Sequence, residues 1–224
     1  MPRFATLNCV LFDLDGTLVD TAPDLTRALN RALGEEGFAP VTLQVIKPII
    51  SQGASAMVRY GLGPDFDEPL HARVLNHMLE DYRVHIADAT DLYHGMEDVL
   101  DELERRNLKW GVVTNKHARF TEPLLQALGL VQRAACIISG DTTANSKPHP
   151  DPMFAACERT GTRPAECIYV GDSAKDIEAG RRAGMRTLAA LYGYLPADED
   201  ARQWGADAFL NAPAELLRWL DADA

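Results

Sequence analysis

Short apolar runs that stop at polar residues recur along this chain, and they constrain its fold more than any other feature. Cys9-Val10-Leu11-Phe12 halts at Asp13. Trp110-Gly111-Val112-Val113 halts at Thr114, and Cys167-Ile168-Tyr169-Val170 at Gly171-Asp172. Cys136-Ile137-Ile138 and Leu188-Ala189-Ala190 are two more such runs. Runs this short and this apolar suit strands buried on both faces. Helical spacings lie between them: Met96, Val99, Leu100 and Leu103; then Met153, Phe154 and Cys157; last Leu216, Leu217 and Leu220. Strands alternating with helices predict a doubly wound, Rossmann-like α/β core with a parallel sheet. In such sheets, ligands bind beyond the carboxyl ends of the strands.

The stretch from Val19 to Ala89 carries no convincing strand. Leu25, Ala28, Leu29, Ala32 and Leu33 mark one amphipathic helix, and Leu70, Val74, Met78 and Tyr82 a longer one. Thr21 with Asp24 resembles a capping box, and Pro23 suits a first helical turn. An inserted all-helical cap is therefore expected over 18–89. That leaves 1–17 and 90–224 for the α/β core.

Hydrophobic residues make up 46% of 224, enough for a full core. Lys and Arg number 22 against 33 Asp and Glu, a formal charge of −11. Such a surface repels nucleic acid and anionic membranes. An anionic ligand then needs a locally positive pocket or a metal. The opening residues Met1 to Asn8 hold no long apolar stretch, so no signal peptide is expected. No run approaches a membrane span. Cys9, Cys136, Cys157 and Cys167 form no CxxC pair and read as reduced core residues of a cytoplasmic protein.

Four polar clusters follow predicted strands. In Asp13-Leu14-Asp15-Gly16-Thr17, two carboxylates spaced i, i+2 can face one site. Asp13 can attack phosphorus while Asp15 donates and later removes a proton. An ordinary acidic turn reads the same way. Thr114-Asn115-Lys116 offers a hydroxyl and backbone N–H groups for a phosphoryl oxygen, and taken alone it reads better as a helix N-cap. Lys147, stiffened by Pro148 and Pro150, offers a positioned ammonium or merely a surface lysine. Asp172 and Asp176 suit Mg²⁺ and its support, or a helix start with an acid in its first turn. Together the four supply nucleophile, acid/base, clamp, counter-charge and metal site, which is the set phosphoryl transfer needs.

In order and content these motifs resemble the haloacid dehalogenase-like hydrolase superfamily over nearly the whole chain. Asp15-Gly16-Thr17-Leu18-Val19-Asp20-Thr21-Ala22-Pro23-Asp24 and Val113-Thr114-Asn115-Lys116 resemble its phosphoglycolate phosphatase-like group. The resemblance implies a phosphatase of small phosphomonoesters working through an aspartyl-phosphate. Asp13 is its nucleophile, Asp15 its general acid/base, and Thr114 and Lys147 hold the phosphoryl group. The Asp13 carboxylate, the Asp15 carbonyl and Asp172 bind Mg²⁺, and Asp176 steadies them. The phosphoglycolate phosphatase-like group implies 2-phosphoglycolate as the substrate, while Ile50-Ser51-Gln52-Gly53-Ala54, Trp110-Gly111, Asn145-Ser146-Lys147-Pro148, Tyr192-Gly193-Tyr194 and Trp204-Gly205-Ala206-Asp207 resemble enzymes that act on N-acetylmuramic acid 6-phosphate, so the implied substrate is one of these two.

Specificity is expected from the cap. A helix starting near Ser51-Gln52-Gly53 can offer amides to substrate oxygens, with Arg59 nearby; Asn115 is a further candidate contact. Lys47 reads as cap surface. His71, His77, His85 and His94 lack metal-ligand spacing and read as surface groups, and Trp110 and Trp204 as packing residues. His117 carries no assigned role. A dehalogenase is disfavoured by Asp15. A phosphomutase of the phosphoglucose type, or a non-catalytic phosphate-binding protein, stays open, as does the choice between monomer and homodimer.

Overall fold

The computed structural model describes residues 7–222. Residues 1–6, which carry most of the expectation of no signal peptide and part of the 1–17 segment, lie outside this range, as do 223 and 224. In chain order the elements are β1 (Cys9–Phe12), β2 (Val19–Asp20), α1 (Ala22–Glu35), α2 (Leu43–Ile46), α3 (Ala54–Leu62), α4 (Glu68–Val84) and β3 (Asp91–Leu92). There follow α5 (Met96–Arg105), β4 (Lys109–Val113), α6 (Ala118–Ala127), β5 (Cys136–Ile138), α7 (Asp151–Thr160), β6 (Cys167–Gly171) and α8 (Ala174–Ala183). The chain closes with β7 (Arg186–Ala190), β8 (Ala208–Leu210) and α9 (Glu215–Ala222).

Six parallel strands form one sheet in the order β5-β4-β1-β6-β7-β8. Side chains alternate between its faces, as the pleat requires. Val10 and Phe12 join Val112, Ile168 and Leu188 in the core under α5, α6 and α9. Cys9 and Leu11 join Ile138, Tyr169 and Met153 in the core under α7 and α8. Helices thus cover both faces, which explains why the strands are apolar over most of their length. All four cysteines are buried free thiols. β1 lies at the middle, with β4 on one edge and β6 on the other, so Asp13 emerges at the switch point.

The helices α1 to α4 form a cap-like region with its own core, built on Leu29, Leu33, Ile46, Met57, Val74 and Met78. Phe120 and Tyr194 from the sheet domain complete it. The chain enters and leaves this region through the antiparallel pair Val19↔Leu92 and Asp20↔Asp91.

Several sequence readings need correction. Val19–Asp20 is a short strand, and β8 is a sixth sheet strand not foreseen. Thr21 makes no cap contact; its hydroxyl donates to Asp15 Oδ1 at 2.6 Å. Asp24 instead ties the exit chain, accepting from Ala89 N at 3.0 Å and Thr90 Oγ1 at 2.7 Å. His71 is 6% exposed, because its ring stacks on Phe66 at 5.7 Å. Phe154 is 46% exposed despite its apolar spacing, for it lies on the outer side of α7.

Candidate active site

The strand ends bring three loops together. Asp13 N donates to Val170 O at 2.9 Å and Thr114 N to Ile138 O at 2.9 Å, so the ladder continues one residue past each strand. Gly16, at φ +84°, then turns the first loop back over Asp172. A Cβ on Gly16 would lie 2.1 Å from Asp172 Oδ2, so no other residue fits this turn without moving the carboxylate.

Lys147 is buried among carboxylates. Its Nζ lies 2.8 Å from Asp13 Oδ1 and 2.6 Å from Asp176 Oδ1. It also donates to Tyr169 Oη at 2.8 Å and Val113 O at 3.1 Å. Burial alone would lower this ammonium's pKa; the Asp13 and Asp176 charges outweigh it and hold the pKa above the ordinary value. Asn115 fixes the lysine's backbone, donating from Nδ2 to Lys147 O and accepting from Lys147 N, both at 3.0 Å. The Asn115 side chain is therefore engaged with this peptide rather than free for a ligand. The N-cap of α6 is His117, so Thr114 does not fill that role; it is buried, and its Oγ1 accepts from Lys116 N at 3.2 Å.

Asp172 and Asp176 divide their work. Asp176 accepts from Ser173 N and Oγ at 3.0 and 2.6 Å, closing a capping box at the start of α8. With Lys147 on its other oxygen, it is fully engaged. Asp172 Oδ2 accepts from Tyr194 N at 2.6 Å. Burial, followed by the charges of Asp13 and Asp176, pushes Asp172 well above the usual carboxylate range. Asp13 is pushed up to about 6 by burial and Asp176, against the pull of Lys147.

Asp15 lines the same cavity but makes its contacts outside this cluster. Lys116 Nζ donates to its two oxygens at 2.9 and 3.2 Å, over the ring of Tyr82 in α4 at 4.6 Å. Lys116, Tyr169 and Tyr82 were not assigned roles from the sequence. Lys116 was legible as a lysine three positions past a strand end. Tyr169 was legible as the one hydroxyl in the five apolar runs read from the sequence.

The cluster suits a divalent cation. Ligand atoms of Asp13, Asp172 and Asp176 lie within 4.8 Å of one another. Asp13 Oδ1 is buried, and its ion pair with Lys147 falls short of hydrogen-bond geometry, so it has no hydrogen-bond partner among the described residues. Within this cluster three carboxylates, at Asp13, Asp172 and Asp176, meet one ammonium group, at Lys147. The excess of two negative charges is what a hard divalent ion offsets.

All the expected site residues except Arg59 line one cavity of about 440 Å³. Gln52 and Gly53 enter it from the cap-like region. Arg59 is drawn off to Glu68 at 3.3 Å and over Phe66 at 5.3 Å. Lys47 likewise lies outside the cavity lining, 3.6 Å from Asp20.

Comparison with known proteins agrees with this geometry. An N-acetylmuramic acid 6-phosphate phosphatase from Pseudomonas putida is 43% identical over 96% of this chain and 97% of its own. A phosphoglycolate phosphatase from Xanthomonas campestris is 40% identical over 92% and 93%. The crystal structure of a predicted phosphoglycolate phosphatase from Haemophilus somnus superposes with a TM-score of 0.87, at 26% identity, over 96% of this chain and 99% of that one. The haloacid dehalogenase-like hydrolase pattern matches residues 10–190, and with these relatives and this cluster the chain belongs to that family, in its phosphoglycolate phosphatase-like group of phosphoric monoester hydrolases.

Proposed function

We propose that the chain is a cytoplasmic, Mg²⁺-dependent phosphatase of a sugar-sized phosphomonoester, N-acetylmuramic acid 6-phosphate, rather than of 2-phosphoglycolate. The cavity carries this reading. Its floor holds Asp13, Thr114 and Lys147, and Leu25, Ile50, Leu75 and Leu79 line it toward the cap-like region. A volume of about 440 Å³ with an apolar wall suits a bulky leaving group better than a two-carbon acid. Lys175 and Arg119 add cationic groups to the lining in a chain of net charge −11, which favours an anionic ligand there.

Residues 18–89 act as the cap, and 1–17 with 90–224 as the catalytic core. The phosphoryl group lies between the Asp13 carboxylate, the Thr114 hydroxyl and Lys147. Asp13 attacks phosphorus in line, forming an aspartyl-phosphate. Asp15 gives its proton to the departing oxygen, then takes one from the water that cleaves the intermediate. To do so it exchanges its contacts with Lys116 and Thr21 for the substrate. The Asp13 carboxylate, the Asp15 carbonyl and Asp172 would hold Mg²⁺, with Asp176 positioning Lys147 and the start of α8. When bound, the ion supplies positive charge where two anions meet.

The test compares kcat/KM for the two acids with Mg²⁺, since discrimination is the ratio of those values. A preference for the amino-sugar phosphate is expected. A preference for 2-phosphoglycolate overturns the substrate reading and leaves the phosphatase chemistry standing.

A further inference from the structure

We infer that Ser55 is a specificity-determining residue and His71 its positioning partner: the pair presents a hydroxyl hydrogen to an acceptor oxygen on the leaving group. This rests on the phosphatase reading and extends it to a feature of the substrate.

Ser55 stands in the first turn of α3, exposed, and lines the cavity that holds Asp13. His71, on α4, is buried behind it. His71 Nε2 lies 3.1 Å from Ser55 Oγ and 3.3 Å from Ser55 O. A carbonyl oxygen can only accept. The second contact is therefore attractive only when Nε2 carries a hydrogen, and that hydrogen is shared between the two oxygens. Ser55 Oγ then accepts from His71, and its own proton is left over. Among the described residues Ser55 Oγ has no other hydrogen-bond partner. A hydroxyl on a cavity wall with one lone pair engaged and its proton unused is a directed donor. It reads a carbonyl or carboxylate oxygen, and it gives nothing to a leaving group without one. In the opposite tautomer Ser55 would donate its proton to Nε2, leaving only lone pairs for a ligand, and a lone pair of His71 would face the Ser55 carbonyl.

The sequence gives no hint of this pairing, because the partners lie 16 positions apart on two different helices. Phe66, stacked on the His71 ring at 5.7 Å, shields it from the solvent side and fixes its plane.

The experiment measures kcat/KM on the preferred of the two acids and on phenyl phosphate, whose leaving group has only the ester oxygen. Ser55→Ala should lower the acid-to-phenyl ratio by about tenfold, through KM rather than kcat. His71→Leu should lower it similarly, and the Ser55→Ala/His71→Leu double variant no further, since both remove one interaction. His71→Gln restores a donor and should recover most of the ratio. A Ser55→Ala ratio equal to that of the unaltered protein overturns the inference, and so does a double variant whose losses multiply. Ser55 is exposed, so its substitution leaves the fold in place and the test stands even if His71→Leu is unstable. If the unaltered protein releases phosphate from none of these compounds, the phosphatase reading falls and this inference with it. An altered ratio is readable only when that has not happened, so the two failures separate.

Discussion

At the ends of β1, β4 and β6, Lys147 and Asp176 are buried and each is held by several partners, whereas Arg59 and His71 of the cap-like region each hydrogen-bond with a single residue. Lys147 meets four oxygens. Arg59 meets one carboxylate, and His71 one serine. The first arrangement fixes geometry through packing and charge together. The second leaves positions that can change without disturbing their neighbours. Chemistry common to many substrates belongs in the first region, and selection among substrates in the second.

The sharpest way to break this contrast is Asp13→Asn. Phosphate release should fall by about a thousandfold or more. Because burial and Asp176 disfavour the charged form of Asp13, the neutral residue should leave the melting temperature equal or higher. A lower melting temperature would show that Asp13 stabilises the fold, against this reading. Lys147→Met comes next. It strands the Asp13 and Asp176 carboxylates, so turnover should drop by about a hundredfold and stability by about 3 kcal/mol, read by urea unfolding. In the cap-like region, Asp24→Ala frees Ala89 N, Thr90 and Arg27 and should cost about 2 kcal/mol by the same measurement. A loss as large as that of Lys147→Met would erase the difference between the regions.

Removing divalent ions should expose the charge excess at the strand ends. The folded pKa of Asp13 is raised from 3.8 to about 6, so its contribution to stability is present below the unfolded pKa and lost as pH rises through about 6. Asp172 shifts in the same direction. Melting temperatures in chelator should therefore fall between about pH 4 and pH 6, and fall less with Mg²⁺. A flat profile in chelator would argue against the buried excess. The smallest effect is expected from Arg59→Ala: its exposed pair with Glu68 is worth at most about 1 kcal/mol, and kcat/KM should change less than about twofold.

Legibility in the sequence divides along the same line. A strand that stops at Asp13, Thr114 or Gly171-Asp172 writes its polar end next to its apolar run, so the pattern is local and readable. The doubly wound core and the residues at its strand ends were accessible for that reason. β2 and β3 are two residues each and exist only by pairing across 71 positions. β8 is three residues, edged by a turn on either side, and offers too short a run to register. Tyr169 meets Lys147 across 22 positions and Lys116 meets Asp15 across 101, each on another loop. His71 is buried by Phe66, an aromatic from the loop before α4, and no helical spacing announces that. Arg59 shows the converse: close in sequence to Gln52 and Gly53, it turns off to Glu68.

The central place of β1 has a consequence for how the protein is made. Its two edges are covered by β4, ending at Val113, and by β6, ending at Gly171. A chain growing on the ribosome therefore carries its most apolar strand unpaired on one side until residue 113 is out, and on the other until residue 171. Unpaired strand edges of this kind invite aggregation. The acidic pair beside Phe12 and the helices synthesised directly after it are what the nascent chain has to keep that strand in solution while it waits.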